Sequence, residues 1–464
     1  MPHFIGARLA AGLLGLMTLN AQAAVVDEQE IHAQLVERID VRKWGTAIVV
    51  GVSTPEGRHV VPYGTLSLKD GRKVDGTTLF EIASLTKVFT ALVLADMAKQ
   101  GKVQPEAPVS TCMPAGVKLP QHGGRQITFV DLATHSSGLP LRPQNLASQT
   151  SLNKYAGYTL EQLYQGLATF ELPRDPGTAF EYSNWGFALL GQALAHCAGK
   201  SYEALLAQRV TGPLGMRDTT FAPTAAARSR LASPYDGKLQ PMPYEELGAL
   251  GAAGGLYSNV DDMLAFVELF LGRGPQPLID ATATMLEPRR PGDGPDTQMG
   301  LGWRVTTSKG VRTIWSTGGA DGFRSFMAFD PDAEVAVVAL TNGRTNVGVD
   351  DIGWHILDPR VPVIRLHPRI SVSAAVLERH VGRYRFDDGV FMTVVREEDH
   401  LVVQMTGQGP SPIFAAAPRE FFPEDIEAQF VFDESGEGPT PSLVLNQDGH
   451  TYKAVRVAEE TSKE

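Results

Sequence analysis

Apolar residues recur with helical spacing immediately after Ser84. They occupy positions i, i+3, i+4, i+7 and i+8 of one stretch, as Leu85, Val88, Phe89, Leu92 and Val93. This spacing places them on one face of a helix. Gly101 follows the run and supplies a stop signal. The pattern therefore predicts a helix that begins at Ser84 and ends before Gly101.

Strand-like stretches lie near both ends of a long N-terminal segment. Residues 46–53 (TAIVVGVS) and 60–66 (VVPYGTL) are rich in β-branched residues and flank a Pro-Glu-Gly turn. Four further stretches have the spacing of an antiparallel meander, at residues 301–306, 313–316, 323–329 and 334–340. Helical patterns lie between the two groups. We therefore expect one α+β domain with a sheet that joins both ends of this segment.

A second, all-β unit is predicted near the end of the chain. The segment 359–368 (PRVPVIRLHP) is spaced by prolines, which is typical of a linker. Short strand candidates follow at regular intervals, at residues 382–386, 391–395, 401–405, 429–432, 442–445 and 452–457. Such a series favours a small β-barrel or sandwich. The expected division is an α+β domain at 24–358, a linker at 359–372 and a β-barrel domain at 373–464.

Residues 1–23 have the composition of a signal peptide. Arg8 supplies a positive charge, residues 9–19 are almost uninterrupted apolar, and Ala21-Gln22-Ala23 matches an A-x-A cleavage site. A buried N-terminal helix is the alternative, which the combination of charge, length and cleavage site disfavours. We therefore expect a periplasmic or secreted mature chain that begins near Ala24. No later stretch reaches the ~18 consecutive apolar residues of a membrane span, so the mature chain is expected to lack one.

Composition excludes several classes of protein. Of 464 residues, 43% are hydrophobic and 20% are charged, which is typical of a globular enzyme rather than a disordered chain. The net charge of −11 argues against a nucleic-acid partner, which would favour a basic surface. The 11 histidines lack metal-ligand spacing, and neither H-E-x-x-H nor G-x-S-x-G occurs. No metal or cofactor is therefore expected.

Cys112 and Cys197 are the two cysteines of the chain. Export would permit a disulfide bond between them, but the sequence does not give their separation in space. Two separate, partly buried thiols are an equal alternative.

Ser84 and Lys87 are the first candidate catalytic pair. A serine hydroxyl is a weak nucleophile and needs a neighbouring base. Residues three apart share a helix face, so Lys87 can reach Ser84, and the helix start offers free N–H groups and a favourable dipole. The structural alternative is a simple helix-capping serine. Ser151 and Lys154 repeat the spacing in a polar stretch without an apolar helix, and we interpret that pair as accidental.

Tyr182-Ser183-Asn184 is the second candidate. A lysine beside a tyrosine lowers the pKa of the phenol, so that the phenolate can act as a base. An asparagine can hold a substrate amide and a lysine together. Tyr257-Ser258-Asn259 repeats the tripeptide, and both copies precede a helical pattern. The alternative for either copy is a buried tyrosine with a helix-capping asparagine.

The third candidate is the stretch Trp315-Ser316-Thr317-Gly318-Gly319, on a predicted strand. Glycines let a substrate backbone lie along the edge of a strand, and a free N–H group can point at an oxyanion. Taken alone, the stretch is more typical of a bulge or a strand end.

Together, the three stretches resemble the S-x-x-K, Y-x-N and K-T-G motifs of the penicillin-recognising serine hydrolases. The resemblance is closest to class C β-lactamases, D-alanyl-D-alanine carboxypeptidases of the AmpH kind and related esterases. It extends over residues 40–358 and includes 127–140 (ITFVDLATHSSGLP), 182–202, 212–221 and 254–266. It implies a β-lactamase-like antiparallel sheet flanked by helices, with a further helical region. Residues after 370 resemble the lipocalin-like β-barrel of some members.

The resemblance also implies roles for individual residues. Ser84 would attack a carbonyl group, and Lys87 and Tyr182 would share the proton transfer, with either of them as the base. The positions that face the substrate are Asn184 at its amide, the N–H groups of Ser84 and Gly319 in the oxyanion hole, and Thr317 and Gly318 along the strand edge. Tyr182 falls on the catalytic position of the family, whereas Tyr257 falls on a structural stretch.

Ser316 departs from the family motif, which has Lys or His at this position. That cation helps to bind the carboxylate of a penicillin or peptide, whereas serine offers a hydrogen bond without charge. Arg324 lies a few residues further on and is a candidate replacement. Three hypotheses for a small-molecule or peptide substrate follow. They are hydrolysis of amide bonds in β-lactams or D-Ala-D-Ala-type peptides through an acyl-Ser84 intermediate, ester hydrolysis, and penicillin binding with acylation but without efficient turnover.

Overall fold

The computed structural model describes residues 27–146, 153–294, 296–308, 311–345, 348–364, 367–386, 389–406, 409–424, 428–433, 438–447 and 450–458. The predicted signal peptide (1–23) and Ser151 lie outside the described residues. Among the residues that are described, no helix combines the length and the apolar character that a membrane crossing requires.

Helices and strands alternate in blocks along these ranges. The α-helices are α1 (Glu28–Val36), α2 (Thr86–Lys99), α3 (Phe129–Ala133), α4 (Leu160–Thr169), α5 (Asn184–Ala198), α6 (Tyr202–Leu206), α7 (Ala225–Arg228), α8 (Gly251–Gly254), α9 (Val260–Glu268), α10 (Gln276–Met285), α11 (Asp350–Leu357) and α12 (Ala374–His380). The strands up to residue 341 are β1 (Ala47–Thr54), β2 (Gly57–Gly64), β3 (Phe80–Glu81), β4 (Gln121–His122), β5 (Arg125–Gln126), β6 (Tyr257–Ser258), β7 (Arg290–Pro291), β8 (Thr297–Met299), β9 (Arg304–Ser308), β10 (Val311–Ala320), β11 (Phe323–Asp330) and β12 (Val335–Thr341). The later strands are β13 (Gly382–Phe386), β14 (Phe391–Glu397), β15 (His400–Met405), β16 (Ser411–Ala417), β17 (Glu420–Phe422), β18 (Ala428–Phe432), β19 (Ser442–Gln447) and β20 (His450–Val457).

The larger open sheet joins the two ends of the N-terminal segment, as the sequence predicted. Counting described strands, it has eight, in the order β2-β1-β12-β11-β10-β9-β8-β7. Neighbouring strands are antiparallel, and β1 pairs with β12 through Val49 opposite Leu340. The predicted meander therefore lies next to the first predicted strand.

Strand β1 shows how this sheet is fixed in the core. All eight of its residues are buried, and alternate side chains enter two different hydrophobic clusters. Ala47 and Val49 belong to the cluster that contains the apolar residues of α2. Ile48, Val50 and Val52 belong to the cluster formed with α1 and α11. Since successive side chains of a strand point to opposite faces, helices cover both faces of the sheet.

Strands β13–β20 close into an antiparallel barrel of eight strands within the described ranges. Six of them coincide with predicted strands, and β16 and β17 were not predicted. The sequence of β16 (SPIFAAA) contains proline and small alanines, and β17 has three residues, so neither has a strong strand pattern. Leu377 of α12 packs into the barrel core. The α+β sheet followed by this barrel confirms the predicted fold class.

A disulfide bond joins Cys112 to Cys197, with their Cα atoms 5.0 Å apart. Cys112 ends a short 3-10 helix (Val109–Cys112), and Cys197 lies in the last turn of α5. The two cysteines are therefore bridged rather than separate thiols. The bond fixes the far end of the helix whose first residue is Asn184.

Candidate active site

Ser84 lies in a short 3-10 turn (Ala83–Leu85) directly before α2. The regular helix therefore begins at Thr86, two residues later than the apolar pattern predicted. Ala83 has a φ of +47°, a left-handed conformation that is uncommon for alanine. Every residue from Thr86 to Met97 is buried, so the centre of the hydrophobic core holds this turn in place. Ser84 itself is partly exposed.

Lys87 points back at Ser84 from the first turn of α2. Its Nζ donates hydrogen bonds to Ser84 Oγ at 3.0 Å and to the carbonyl oxygen of Ala253 in α8 at 2.6 Å. The residue is 2% exposed. Burial lowers the pKa of Lys87, although the neighbouring Tyr182 opposes this effect. A buried lysine with a lowered pKa loses its proton more readily, as a base beside a serine must.

Tyr182 lies against the same ammonium group. Lys87 Nζ is 4.8 Å from the centre of the Tyr182 ring. Burial raises the pKa of Tyr182, but its interactions with Lys87, Ser84 and Arg304 outweigh burial, and the net pKa is lowered. The structure thus brings together Ser84, Lys87 and Tyr182, which are separated by up to 98 positions (182 − 84) in the sequence.

His135 holds the segment that carries Tyr182, a role that the sequence did not indicate. Its ring stacks on the Tyr182 ring at a centroid distance of 4.3 Å. Its Nδ1 accepts the backbone N–H of Ser183 at 3.0 Å. Burial, Lys87 and Arg304 lower the pKa of His135 well below its usual value, so the ring is neutral at pH 7. His135 also has a left-handed φ of +56°, which the sequence does not indicate.

Asn184 is the first residue of α5 and lines a cavity in front of Ser84. Ser183 caps the helix instead, because its Oγ accepts the N–H of Gly186 at 2.8 Å. The Oδ1 of Asn184 is buried and has no hydrogen-bond partner among the described residues. A buried acceptor without a partner is costly, and a substrate N–H would satisfy it.

Strand β10 presents a free edge next to Ser84. β9 pairs with β10 only as far as Arg304, which lies opposite Trp315. From Ser316 to Ala320, β10 pairs with β11 on one side, and no described strand pairs with its other side. The main chain of an extended ligand can add to such an edge as a further strand. Ser316 is 4% exposed and carries no charge.

Gly318 and Gly319 let this strand approach the serine closely. A Cβ at Gly318 would lie 2.4 Å from the carbonyl oxygen of Ile82 and 3.1 Å from the nitrogen of Ser84, so a side chain would push the strand away. Gly319 is exposed and lines the cavity, and Thr317 is partly exposed. The close approach is what an oxyanion hole built from main-chain N–H groups of the turn and the strand requires.

The cavity in front of Ser84 has a volume of about 300 Å³. Its charged lining consists of Arg142, Lys154, Arg324, Arg344, Glu245 and Asp321. Arg324, the proposed substitute for the missing cation, lies beside the strand, since a Cβ at Gly319 would be 2.8 Å from its Nη1. Asp321 binds Arg344 at 2.7 Å and Lys154 at 3.6 Å. The cavity lining thus has four basic and two acidic side chains. This excess of positive charge favours an anionic group on a ligand.

Each of the first two motifs has a second copy in the chain. Lys154 is on the cavity wall, while Ser151 lies outside the described residues. That the second Ser-x-x-Lys pair is accidental therefore stays a prediction. Tyr257 donates a hydrogen bond to Glu81 at 3.1 Å, and Asn259 caps α9. This is the structural arrangement expected for that copy. No three His, Cys, Asp or Glu side chains converge as a metal site in the part of the chain that is described.

Ser84 lies at the head of a core helix and beside an open strand edge, next to a buried lysine and a partly buried tyrosine. This is the arrangement of an acyl-transferring serine hydrolase. The chain belongs to the beta-lactamase family, whose model matches residues 23–358. Within that family it is one of the penicillin-recognising serine hydrolases, as the three motifs indicated.

Individual relatives agree with this assignment. The chain is 31% identical over 347 residues to the D-alanyl-D-alanine-carboxypeptidase/endopeptidase AmpH of Escherichia coli (strain K12), over 69% of this chain and 86% of that protein. It resembles the structure of a beta-lactamase/D-alanine carboxypeptidase from Yersinia pestis, with 26% identity, a TM-score of 0.59, and coverage of 68% of this chain and 93% of that one. The octameric penicillin-binding protein homologue from Pyrococcus abyssi is 19% identical, with a TM-score of 0.67, over 93% of this chain and 100% of its own. The last match shows that the shared fold includes the C-terminal barrel.

Proposed function

We propose that this chain hydrolyses amide bonds of β-lactams or D-Ala-D-Ala-type peptides through an acyl-Ser84 intermediate. The observation that carries the proposal is the hydrogen bond of 3.0 Å between Lys87 Nζ and Ser84 Oγ in a buried site where the pKa of both Lys87 and Tyr182 is lowered. A serine becomes a nucleophile when such a base lies within hydrogen-bond reach. The names of the relatives from Escherichia coli and Yersinia pestis support the substrate class.

In the proposed acylation, Ser84 Oγ forms a bond to the carbonyl carbon while its proton moves to the Lys87–Tyr182 pair. The carbonyl electrons move onto the oxygen, where the N–H groups of Ser84 and Gly319 stabilise the negative charge. When this intermediate collapses, the C–N bond breaks and the nitrogen takes the proton from the pair. A water molecule then repeats the sequence on the ester and releases the acid. Asn184 Oδ1 accepts an N–H of the substrate throughout.

The charge of the cavity supports a substrate that carries a carboxylate. Arg324 lies against Gly319, so it can supply the positive charge that Ser316 does not. An Arg guanidinium binds a carboxylate through paired hydrogen bonds.

An esterase is the second candidate, and the buried, uncharged Ser316 favours it. Without a cation in the strand, a neutral acyl substrate loses no interaction at this position. The two candidates share Ser84, Lys87 and Tyr182 and differ in the carbonyl that is attacked. A penicillin-binding protein that is acylated without efficient turnover would share them as well.

A panel of three substrates separates these candidates. The substrates are a chromogenic cephalosporin, a D-Ala-D-Ala peptide and a short-chain p-nitrophenyl ester. We expect turnover of the cephalosporin or the peptide. Hydrolysis of the ester alone would show that the protein is an esterase instead. Ser84→Ala is expected to abolish the covalent adduct with a penicillin or ester, as detected by mass spectrometry, whereas Ser151→Ala retains it. An adduct that persists in Ser84→Ala would overturn the assignment of the nucleophile.

Export and domain organisation belong to the same proposal. Residues 1–23 would be removed as a signal peptide, and the mature chain would reach the periplasm or the medium. N-terminal sequencing of the protein from the cell envelope tests this, since a retained Met1 contradicts it. Residues 24–358 and 373–464 would form two domains, and limited proteolysis that cuts within 359–372 and leaves both fragments folded would support that division.

A further inference from the structure

A second arginine lies next to the catalytic tyrosine, at the point where the strand edge becomes free. Arg304 is opposite Trp315, the residue immediately before Ser316. Its Cζ is 4.9 Å from the centre of the Trp315 ring and 5.9 Å from the centre of the Tyr182 ring. Its side chain is 12% exposed. The guanidinium is therefore largely shielded from water and within the range of cation–π contacts to both rings.

Asp293 fixes this guanidinium from the other side. Arg304 Nε donates to Asp293 Oδ2 at 2.9 Å, and Nη2 donates to the same oxygen at 2.7 Å. Burial raises the pKa of Asp293, but the contacts with Arg304 outweigh burial and keep the pKa of this carboxyl below its usual value. The ion pair is consequently charged at neutral pH. A planar guanidinium held by a carboxylate and lying over a ring has little freedom to turn.

We propose that Arg304, held by Asp293, is a positioning residue that orients Tyr182 and favours its phenolate. The inference rests on the proposed function, because it assigns Tyr182 to proton transfer. The titratable groups that face Tyr182 are Lys87 from α2, His135 from the loop after α3, and Arg304 from β9. His135 is neutral, so among the described residues Lys87 and Arg304 are the positive charges that act on the phenol.

The pH dependence of acylation tests this role. The Lys87–Tyr182 pair must lose a proton to serve as a base, so kcat/KM rises with pH along an acidic limb. Removal of a nearby positive charge makes that proton harder to lose. We expect Arg304→Gln to move the acidic limb upward by about one pH unit. Arg304→Lys keeps the positive charge, so its acidic limb is expected to stay close to that of the unsubstituted protein. Arg273→Gln is the matched control, because Arg273 is a partly buried structural arginine that binds Ser53 and the carbonyl of Thr54.

A second measurement does not depend on turnover. The ultraviolet difference titration between each protein and its Tyr182→Phe counterpart reports the phenolate of Tyr182 directly. Arg304→Gln is expected to raise the pH of that transition, with circular dichroism confirming that the variant is folded. An unmoved transition, or an equal shift in Arg273→Gln, would overturn the role of Arg304. If the unsubstituted protein formed no adduct at Ser84, the proposed function would be overturned instead, and this titration would still be interpretable.

Discussion

Two copies of the tripeptide Tyr-Ser-Asn precede helices in this molecule, and their helices begin at different residues. In the first copy Ser183 is the N-cap of α5, so Asn184 is already helical. In the second copy Asn259 is the N-cap of α9, and its Oδ1 accepts the N–H of Asp262 at 2.8 Å. The shift of one residue leaves the amide oxygen of Asn184 for the cavity, whereas that of Asn259 is used by its own helix.

The two tyrosines also face different groups. Tyr182 lies over the Lys87 ammonium, and its pKa is lowered despite burial. Tyr257 donates to Oε1 of Glu81, and burial together with this carboxyl raises its pKa. An identical tripeptide thus gives a candidate base in one place and a structural hydrogen bond in the other. The neighbour from a distant part of the chain decides which of the two it becomes.

Replacing each tyrosine by phenylalanine is the strongest way to test this difference. Tyr182→Phe is expected to lower kcat/KM by about 10²–10⁴-fold, the contribution that a positioned acid or base makes. Tyr257→Phe is expected to leave kcat/KM close to that of the unsubstituted protein and to lower the free energy of unfolding by about 1 kcal/mol, because one buried hydrogen bond is lost. Steady-state kinetics and urea denaturation of both variants measure the two effects.

Each variant is the control for the other, since both remove one hydroxyl from a tyrosine of the same sequence context. Similar losses of activity in the two would mean that the neighbouring charge does not distinguish them. A large loss in Tyr257→Phe alone would assign the catalytic role to the second copy.

The same dependence on distant neighbours limits what the sequence can predict. The strands of the meander and six strands of the barrel follow from local patterns, because alternation and turn residues act within a few positions. The trio was found through the resemblance of three motifs, not through spacing alone. Arg304 and His135 were missed, since their contacts with Tyr182 depend on strand register and on a left-handed residue. Neither feature has a signal in a single sequence.

Glu81, the partner of Tyr257, provides a smaller test through the pH dependence of stability. Burial raises the pKa of Glu81 from 4.5 to about 8, with Glu245 adding to the effect. The folded state therefore binds a proton that the unfolded state has released, so the stability that Glu81 contributes is greatest below pH 4.5 and is lost as the pH rises towards 8. This group alone contributes a slope of up to about 1.4 kcal/mol per pH unit.

Glu81→Gln keeps an acceptor for Tyr257 and removes the titration. Denaturation at a series of pH values is expected to show a flatter stability curve between pH 4.5 and 8 than in the unsubstituted protein. Part of the slope will remain, because burial also raises the pKa of Glu245 and of Asp350 to about 7. An unchanged slope would show that Glu81 is ionised in the folded protein, so that Tyr257 faces a carboxylate and not a neutral carboxyl group.

The two asparagines offer the finest test, because they differ by a single position relative to a helix start. Asn259→Ala removes a helix cap and is expected to lower the free energy of unfolding by about 0.5–2 kcal/mol, with little change in KM. Asn184→Ala removes a buried acceptor that lacks a protein partner, so stability should hold or rise slightly while kcat/KM for amide substrates falls. Urea denaturation and kinetics of the pair separate the effects. If Asn184→Ala destabilised the protein as much as Asn259→Ala, the amide of Asn184 would serve its helix, and no substrate contact would be needed to explain its position.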